Sequence, residues 1–185
     1  QLDIEAAAAL SQSEIGLIPI SIARNISKIA KSGKITAKRI KQLEAKSDHD
    51  TAALVEALAE KCNKESRPWI HYGLTSNDLV DTSNSMQMRD AIKIIQPKVS
   101  KLSLILAKNA VKHRSVPAVG RTHGQHASII SFGLKFANWA AEMSTHFERL
   151  DEIKKRVLIS QTLGVVGTGT LMGKNSVKVQ ERTGK

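Results

Sequence analysis

The chain has 185 residues, 41% hydrophobic and 24% charged, enough for one large or two small domains with a substantial core. Its net charge of +11 favours anionic partners (nucleic acid, an anionic membrane, or a small molecule bearing phosphate or carboxylate), but the basic residues are spread along the chain and only 3% of residues are aromatic. That leaves bases little to stack on and argues against a nucleic-acid partner, the plain alternative being a solvated, lysine-rich surface.

Cys62 is the only cysteine, so an internal disulfide and a multi-cysteine metal site are excluded, and a reducing cytoplasm fits. No signal peptide is expected, because the first ten residues carry Asp3 and Glu5 and no basic residue. The most apolar long window, Ala127 to Met143, is broken by Lys135, Asn138 and Glu142, so no membrane span is expected. The chain opens at Gln1 and closes on "VKVQERTGK", within what reads as the first turns of a helix; a piece of a longer protein is expected.

In chain order, residues 2–10 form an alanine-rich helix, and a second runs from about Pro19 to Lys31, closed by Ser32 and Gly33. "TAKRIKQLEA" gives a third, with Thr36 as N-cap. "SDHDTAALVEALAEKCNK" gives a fourth, capped by Ser47 or Asp48, with Leu54, Val55 and Leu58 as its buried stripe. A connection punctuated by Pro68 and Gly73 leads to a long helix starting near Ser76. Along it Met88, Ile92, Ile95, Val99, Leu102 and Leu106 recur at spacings of 4, 3, 4, 3 and 4, the heptad seam of a helix packed lengthwise in a bundle. Pro97 lies inside that seam and is expected to kink the helix rather than end it.

"SVPAVGRTHGQHA" interrupts the helix with Pro117, Gly120 and Gly124. Another helix follows over about Ser128 to Val157, its stripe of Phe132, Phe136, Trp139, Met143 and Leu150 reading as core. "LGVVGTGTLMG" reads as a glycine-rich loop or short hairpin, and a last helix starts near Lys174. With no series of alternating strands the class is all-α: an N-terminal helical domain over 1–75, then the start of a long-helix bundle over 76–185.

Three clusters carry chemistry. "LTSND" places the hydroxyls of Thr75 and Ser76, with Asn77 and Asp78, at a helix start, where unpaired N–H groups and the dipole favour a carboxylate or phosphate. An ordinary N-cap explains the same residues. "GRTHGQHA" offers Arg121, Thr122, His123, Gln125 and His126 in a glycine-loosened loop; a histidine there suits proton transfer near neutral pH, and an ordinary loop histidine is the alternative. His123 and His126 lack an acidic or cysteine ligand nearby, so no metal is assigned. "SDHD" sets His49 between Asp48 and Asp50, two carboxylates that favour its charged form and orient its ring, or else a solvated turn. "LGVVGTGT" lacks both phosphate-loop signatures and is not read as a nucleotide site.

Together and in this order, "HDTAALVEAL", "HYGLTSNDLVDT", "GRTHGQHA" and "GVVGTGTLMGK" resemble the adenylosuccinate lyase family, in the fumarase/aspartase superfamily. The resemblance covers essentially the whole chain but only the N-terminal part of the family's length. It implies elimination of fumarate from adenylosuccinate, leaving AMP, and from the succinyl-carboxamide purine precursor, with no cofactor. By the same resemblance His123 matches the general acid and His49 the histidine that assists it. Thr75 and Ser76 match the pair that holds the succinyl carboxylates. Asp48, Asp50, His71 and Thr122 fall in or beside substrate-contact positions.

The family's catalytic base is a serine on a mobile loop, and that loop has no counterpart here; nor has the N-terminal Arg-Tyr pair that contacts the phosphate. In the family each active site draws on three subunits of a cytoplasmic homotetramer. These 185 residues alone are therefore expected to be inactive. The competing readings are another lyase of the superfamily, such as one acting on argininosuccinate or a related succinyl adduct, and a non-catalytic basic helical module.

Overall fold

The computed structural model describes residues 1–184. Among the described residues there are seven helices: α1 (Leu2–Glu14), α2 (Ile20–Ala30), α3 (Ala37–Ser47), α4 (Asp50–Lys61), α5 (Ser76–Lys112), α6 (Phe132–Val157) and α7 (Ser176–Thr183). Short 3-10 turns lie at Arg67–Trp69 and Thr170–Asn175. The all-α class is correct, with one addition that the sequence reading did not contain: a two-stranded antiparallel sheet of β1 (Pro117–Thr122) and β2 (Gln125–Ser131). The first turn of the helix expected from Ser128 is therefore strand, and α6 starts at Phe132.

The chain divides into two units. The first comprises Gln1–Met86 and the residues from Ile159 onward; the second is Gln87–Leu158.

In the first unit α1 is the inner helix. Ala6 and Ala9 pack into one core with Ile18, Ala23, Ile26 and Leu58. Ile4 and Ala8 pack into another with Leu54, Leu74, Leu79, Met172 and Val179. A helix apolar on most of its circumference belongs inside, and alanine lets neighbours approach on both sides. Fully buried Ile26 and Leu58 each contribute about 1.5–3 kcal/mol of hydrophobic transfer energy. Thr36 caps α3 as expected, its hydroxyl accepting the Arg39 N–H at 3.2 Å.

The cap of α4 is a correction. Ser47 is the last residue of α3, and Asp48 turns the chain in the left-handed region at φ 50°; the N-cap is His49. The segment after α6 in sequence is a loop leading into the 3-10 turn, not a hairpin, with Val165 and Val166 exposed.

In the second unit the remainder of α5 passes through Pro97 without a break. α6 returns antiparallel along it: the Ser103 hydroxyl donates to the Ala140 carbonyl at 3.3 Å. Gly133 is required where the two helices meet, since a β-carbon there would sit 2.4 Å from the Ala110 carbonyl oxygen. Ser131 caps α6 through the Gly133 N–H and donates to the Arg114 carbonyl. His113, Phe132, Phe136 and Trp139 form an aromatic cluster at that end. The heptad seam is only partly covered: Ile92 is buried, whereas Ile95 and Leu102 are 46% and 44% exposed.

Candidate active site

His49 is held by the helix it starts. Its Nδ1 accepts the Ala52 peptide N–H at 3.3 Å, so the ring hydrogen is on Nε2, which donates to Ser76 Oγ at 3.2 Å. Asp50 Oδ1 also lies 3.6 Å from Nδ1. One nitrogen cannot accept from a peptide N–H and donate to a carboxylate at once. The peptide N–H is nearer, and Asp50 Oδ1 already receives the Thr51 N–H at 2.6 Å. The ring is thus oriented by the α4 cap and by Ser76 rather than by Asp48 and Asp50, which are both exposed. Because Ser76 Oγ accepts from His49, its own hydrogen is free to donate to a ligand.

The cap-or-ligand question at the start of α5 resolves through Asp78. This side chain is fully buried, and its Oδ2 accepts the Thr75 peptide N–H at 3.0 Å, one half of a capping box. The same oxygen accepts the Gly164 N–H at 2.9 Å and fastens the glycine-rich loop to the helix start. Among the described residues neither hydroxyl, Thr75 Oγ1 nor Ser76 Oγ, accepts from the first-turn N–H groups. Both half-buried hydroxyls therefore remain as donors at the positive end of a 37-residue helix.

His71 lies four residues before Thr75, in the left-handed region at φ 60°. Its peptide N–H donates to Glu5 Oε2 at 3.0 Å, and its Nδ1 is 2.6 Å from Glu5 Oε1. Gln12 on the same helix donates from Nε2 to the Tyr72 carbonyl at 2.6 Å. Sequence reading missed Glu5 and Gln12. The available signal was two large polar residues seven apart, hence on one face of a helix otherwise rich in alanine.

Thr122 and His123 belong to the second unit. Strands β1 and β2 are joined by the two residues His123 and Gly124, both with positive φ (48° and 74°), the requirement of a tight hairpin turn matched to strand twist. His123 stands exposed at the tip. A register shift at Gly120/Arg121 leaves Arg121 opposite His126. Among the described residues no three His, Cys, Asp or Glu side chains group as a metal site.

The first unit thus brings together His49, Ser76 and the amino end of α5, with His71 and Thr75 on the segment leading into it. Asp48 and Asp50 flank them in sequence without bonding to them through their side chains. Hydroxyl donors at a helix start suit a carboxylate, and an imidazole bonded to one of them suits proton exchange.

The profile of the Lyase family matches residues 3–183. The chain belongs to that family. It is 44% identical, over 98% of its length, to an adenylosuccinate lyase of Methanocaldococcus jannaschii, and covers 39% of that protein. It is 38% identical, over 99% of its length, to an N-acetyl-S-(2-succino)cysteine lyase of Enterococcus italicus, covering 40% of it. Among solved structures, the 3-carboxy-cis,cis-muconate lactonizing enzyme of Pseudomonas putida superposes with a TM-score of 0.92 at 31% identity, over 98% of this chain and 42% of that one. The chain spans about 40% of the length of the curated relatives it matches.

Proposed function

We propose that the protein cleaves adenylosuccinate to AMP and fumarate, and the succinyl-carboxamide purine precursor in the same way. A base removes the proton from the carbon next to a succinyl carboxylate. The electrons of that C–H bond form the new C=C bond, and those of the breaking C–N bond go to nitrogen, which an acid protonates. Acid–base chemistry balances this step, so no cofactor is assigned.

The observation that carries the reading is the His49–Ser76 contact at the amino end of α5. It leaves the Ser76 hydroxyl, with that of Thr75, to donate to the succinyl carboxylates. His123 is the general acid and His49 assists it. Asp48, Asp50, His71 and Thr122 contact substrate, and the base is supplied from outside these 185 residues. The identity to adenylosuccinate lyases, 44% and 40% in two methanogens, supports this substrate.

A homotetramer completes the reading. A lone two-stranded hairpin is marginal in water, and here Ile129 is 81% exposed. Ile94, Leu104 and Val111 on α5 are exposed as well, an apolar display that partner helices would cover. No helix of the described residues is long and apolar enough to cross a membrane; a cytoplasmic enzyme without membrane or nucleic-acid partners fits.

The test is ultraviolet-monitored turnover of adenylosuccinate by the complete protein, before and after chelation. Turnover unaffected by chelator is expected. Activity lost to chelator and restored by a metal overturns the cofactor-free reaction. Turnover of N-acetyl-S-(2-succino)cysteine in place of adenylosuccinate overturns the substrate. No turnover, with binding to nucleic acid that falls steeply with salt, supports the non-catalytic module instead.

A further inference from the structure

Two long polar side chains of helix α1 are buried amid its alanines, Glu5 at 2% and Gln12 at 1% exposure. Both are directed at one short segment 60 or more residues away in sequence. Gln12 takes the Tyr72 carbonyl, while Glu5 takes the His71 peptide N–H with one oxygen and His71 Nδ1 with the other. A carboxylate is costly to bury unless its oxygens are hydrogen-bonded, and here both are. An ionised carboxylate only accepts, so Nδ1 of His71 carries the hydrogen. The Glu5–N–H bond also holds His71 in a backbone region that a residue with a β-carbon seldom occupies. The His71 side chain remains 22% exposed. The buried carboxylate holds Nδ1, and among the described residues Nε2 makes no hydrogen bond.

We infer that Glu5 is a positioning residue: it fixes the His71 ring with Nδ1 protonated, so that Nε2 is the nitrogen offered to the substrate. The inference rests on the reading of His71 as a substrate contact. Geometry separates this role from a packing role. A packing side chain at position 5 would hold α1 against the His71–Gly73 segment without selecting a tautomer. A carboxylate bonded at once to the peptide and to the ring of one residue selects both its backbone conformation and the nitrogen that faces outward.

Imidazole nitrogen–proton correlation spectra of the ¹⁵N-labelled chain read the tautomer directly. His71 is expected as the Nδ1–H form in the wild type and to lose that preference in Glu5→Gln. A wild-type His71 in the Nε2–H form overturns the inference without recourse to any variant, so a misfolded variant does not shield it. In the complete enzyme, Glu5→Gln should lower kcat/KM for adenylosuccinate by about 10–100-fold, as loss of an orienting carboxylate does elsewhere. Most of that loss should vanish in a His71→Ala background; additive losses overturn the positioning role. If the wild type turns over no adenylosuccinate, the lyase reading fails, and the tautomer alone then decides whether Glu5 fixes the ring.

Discussion

His71 and His123 are both non-glycine residues at positive φ, yet they are held by opposite means. His71 is fixed by side chains: a buried carboxylate on α1 bonds its peptide and its ring. His123 is fixed by backbone: the two-residue turn between β1 and β2 sets its direction, and its side chain is exposed at the tip. Side-chain fixing specifies tautomer and rotamer, which suits a group that must present one nitrogen. Backbone fixing specifies where the Cα–Cβ bond points and leaves the ring to rotate, which suits a group that exchanges a proton with a substrate. The contrast makes different failures visible on mutation.

The largest expected effect is at His123. His123→Gln in the complete enzyme should lower kcat by about 10²–10⁴-fold, the usual worth of a general acid, with little change in substrate affinity. Its stability should not change, because the side chain touches no core. A kcat within about threefold of wild type, measured by fumarate release, removes His123 from the role.

That contrast also marks what could be read from the sequence. The helix from Met88 to Leu106 and its passage through Pro97 were legible, because period and length outweigh one proline, whereas its seam is buried only at Ile92 and stays exposed at Met88, Ile95 and Leu102. The hairpin was not. Its turn is His-Gly rather than Asn-Gly, and its strands are mostly exposed, with only small Ala118 and Gly120 half-buried on β1, so no strong apolar alternation marks them. His49 as the cap of α4 was hidden by Ser47 and Asp48, both better capping types; the left-handed turn at Asp48 shifts the helix start by one. Glu5 could be marked as a polar residue on an alanine-rich helix, but what it bonds could not, because its partner lies 66 positions away. The candidate residues could be named by motif, while the groups that orient them could not.

Thr75 and Ser76 sharpen the side-chain half of the comparison. Thr75→Ala and Ser76→Ala should each weaken substrate binding by about 1.5–3 kcal/mol, the value of a hydrogen bond to a charged group. Their thermal stability should stay near wild type, because Asp78 rather than either hydroxyl caps the helix. Asp78→Ala should do the reverse, costing about 1–3 kcal/mol of stability by leaving the Thr75 and Gly164 N–H groups unpaired. Calorimetric melting alongside substrate titration separates the two patterns. If Thr75→Ala melts early and binds normally, its hydroxyl is a cap after all.

Gly124 probes the backbone half. At φ 74° its replacement by alanine should cost about 1–2 kcal/mol of hairpin stability, and it meets no neighbouring atom within 4 Å. Strain is then its only route to harm. Gly124→Ala should therefore lower kcat through misdirection of His123, while far-ultraviolet circular dichroism stays helical. Gly124→Asn should recover part of the loss, because asparagine tolerates this region better than alanine does. Equal activity in the two variants breaks the claim that the turn positions His123.

The smallest loss of stability, and the cleanest separation, is at His49, whose ring has two side-chain duties: its Nδ1 caps a helix and its Nε2 reaches Ser76. The two duties can be removed one at a time. His49→Asn keeps a good capping side chain but is too short to bring an N–H to Ser76 in the same pose. His49→Ala removes both. His49→Ala should therefore unfold more easily than wild type by about 0.5–2 kcal/mol, and His49→Asn by only a few tenths. Both should lose activity to a similar degree, since each abandons Ser76. Urea unfolding of the 185-residue chain, paired with fumarate release by the complete enzyme, reads the two duties independently. A His49→Asn variant that keeps wild-type activity would show that the cap is the only duty His49 performs. One that unfolds as easily as His49→Ala would show that the Nδ1 contact to Ala52 does not hold the start of α4.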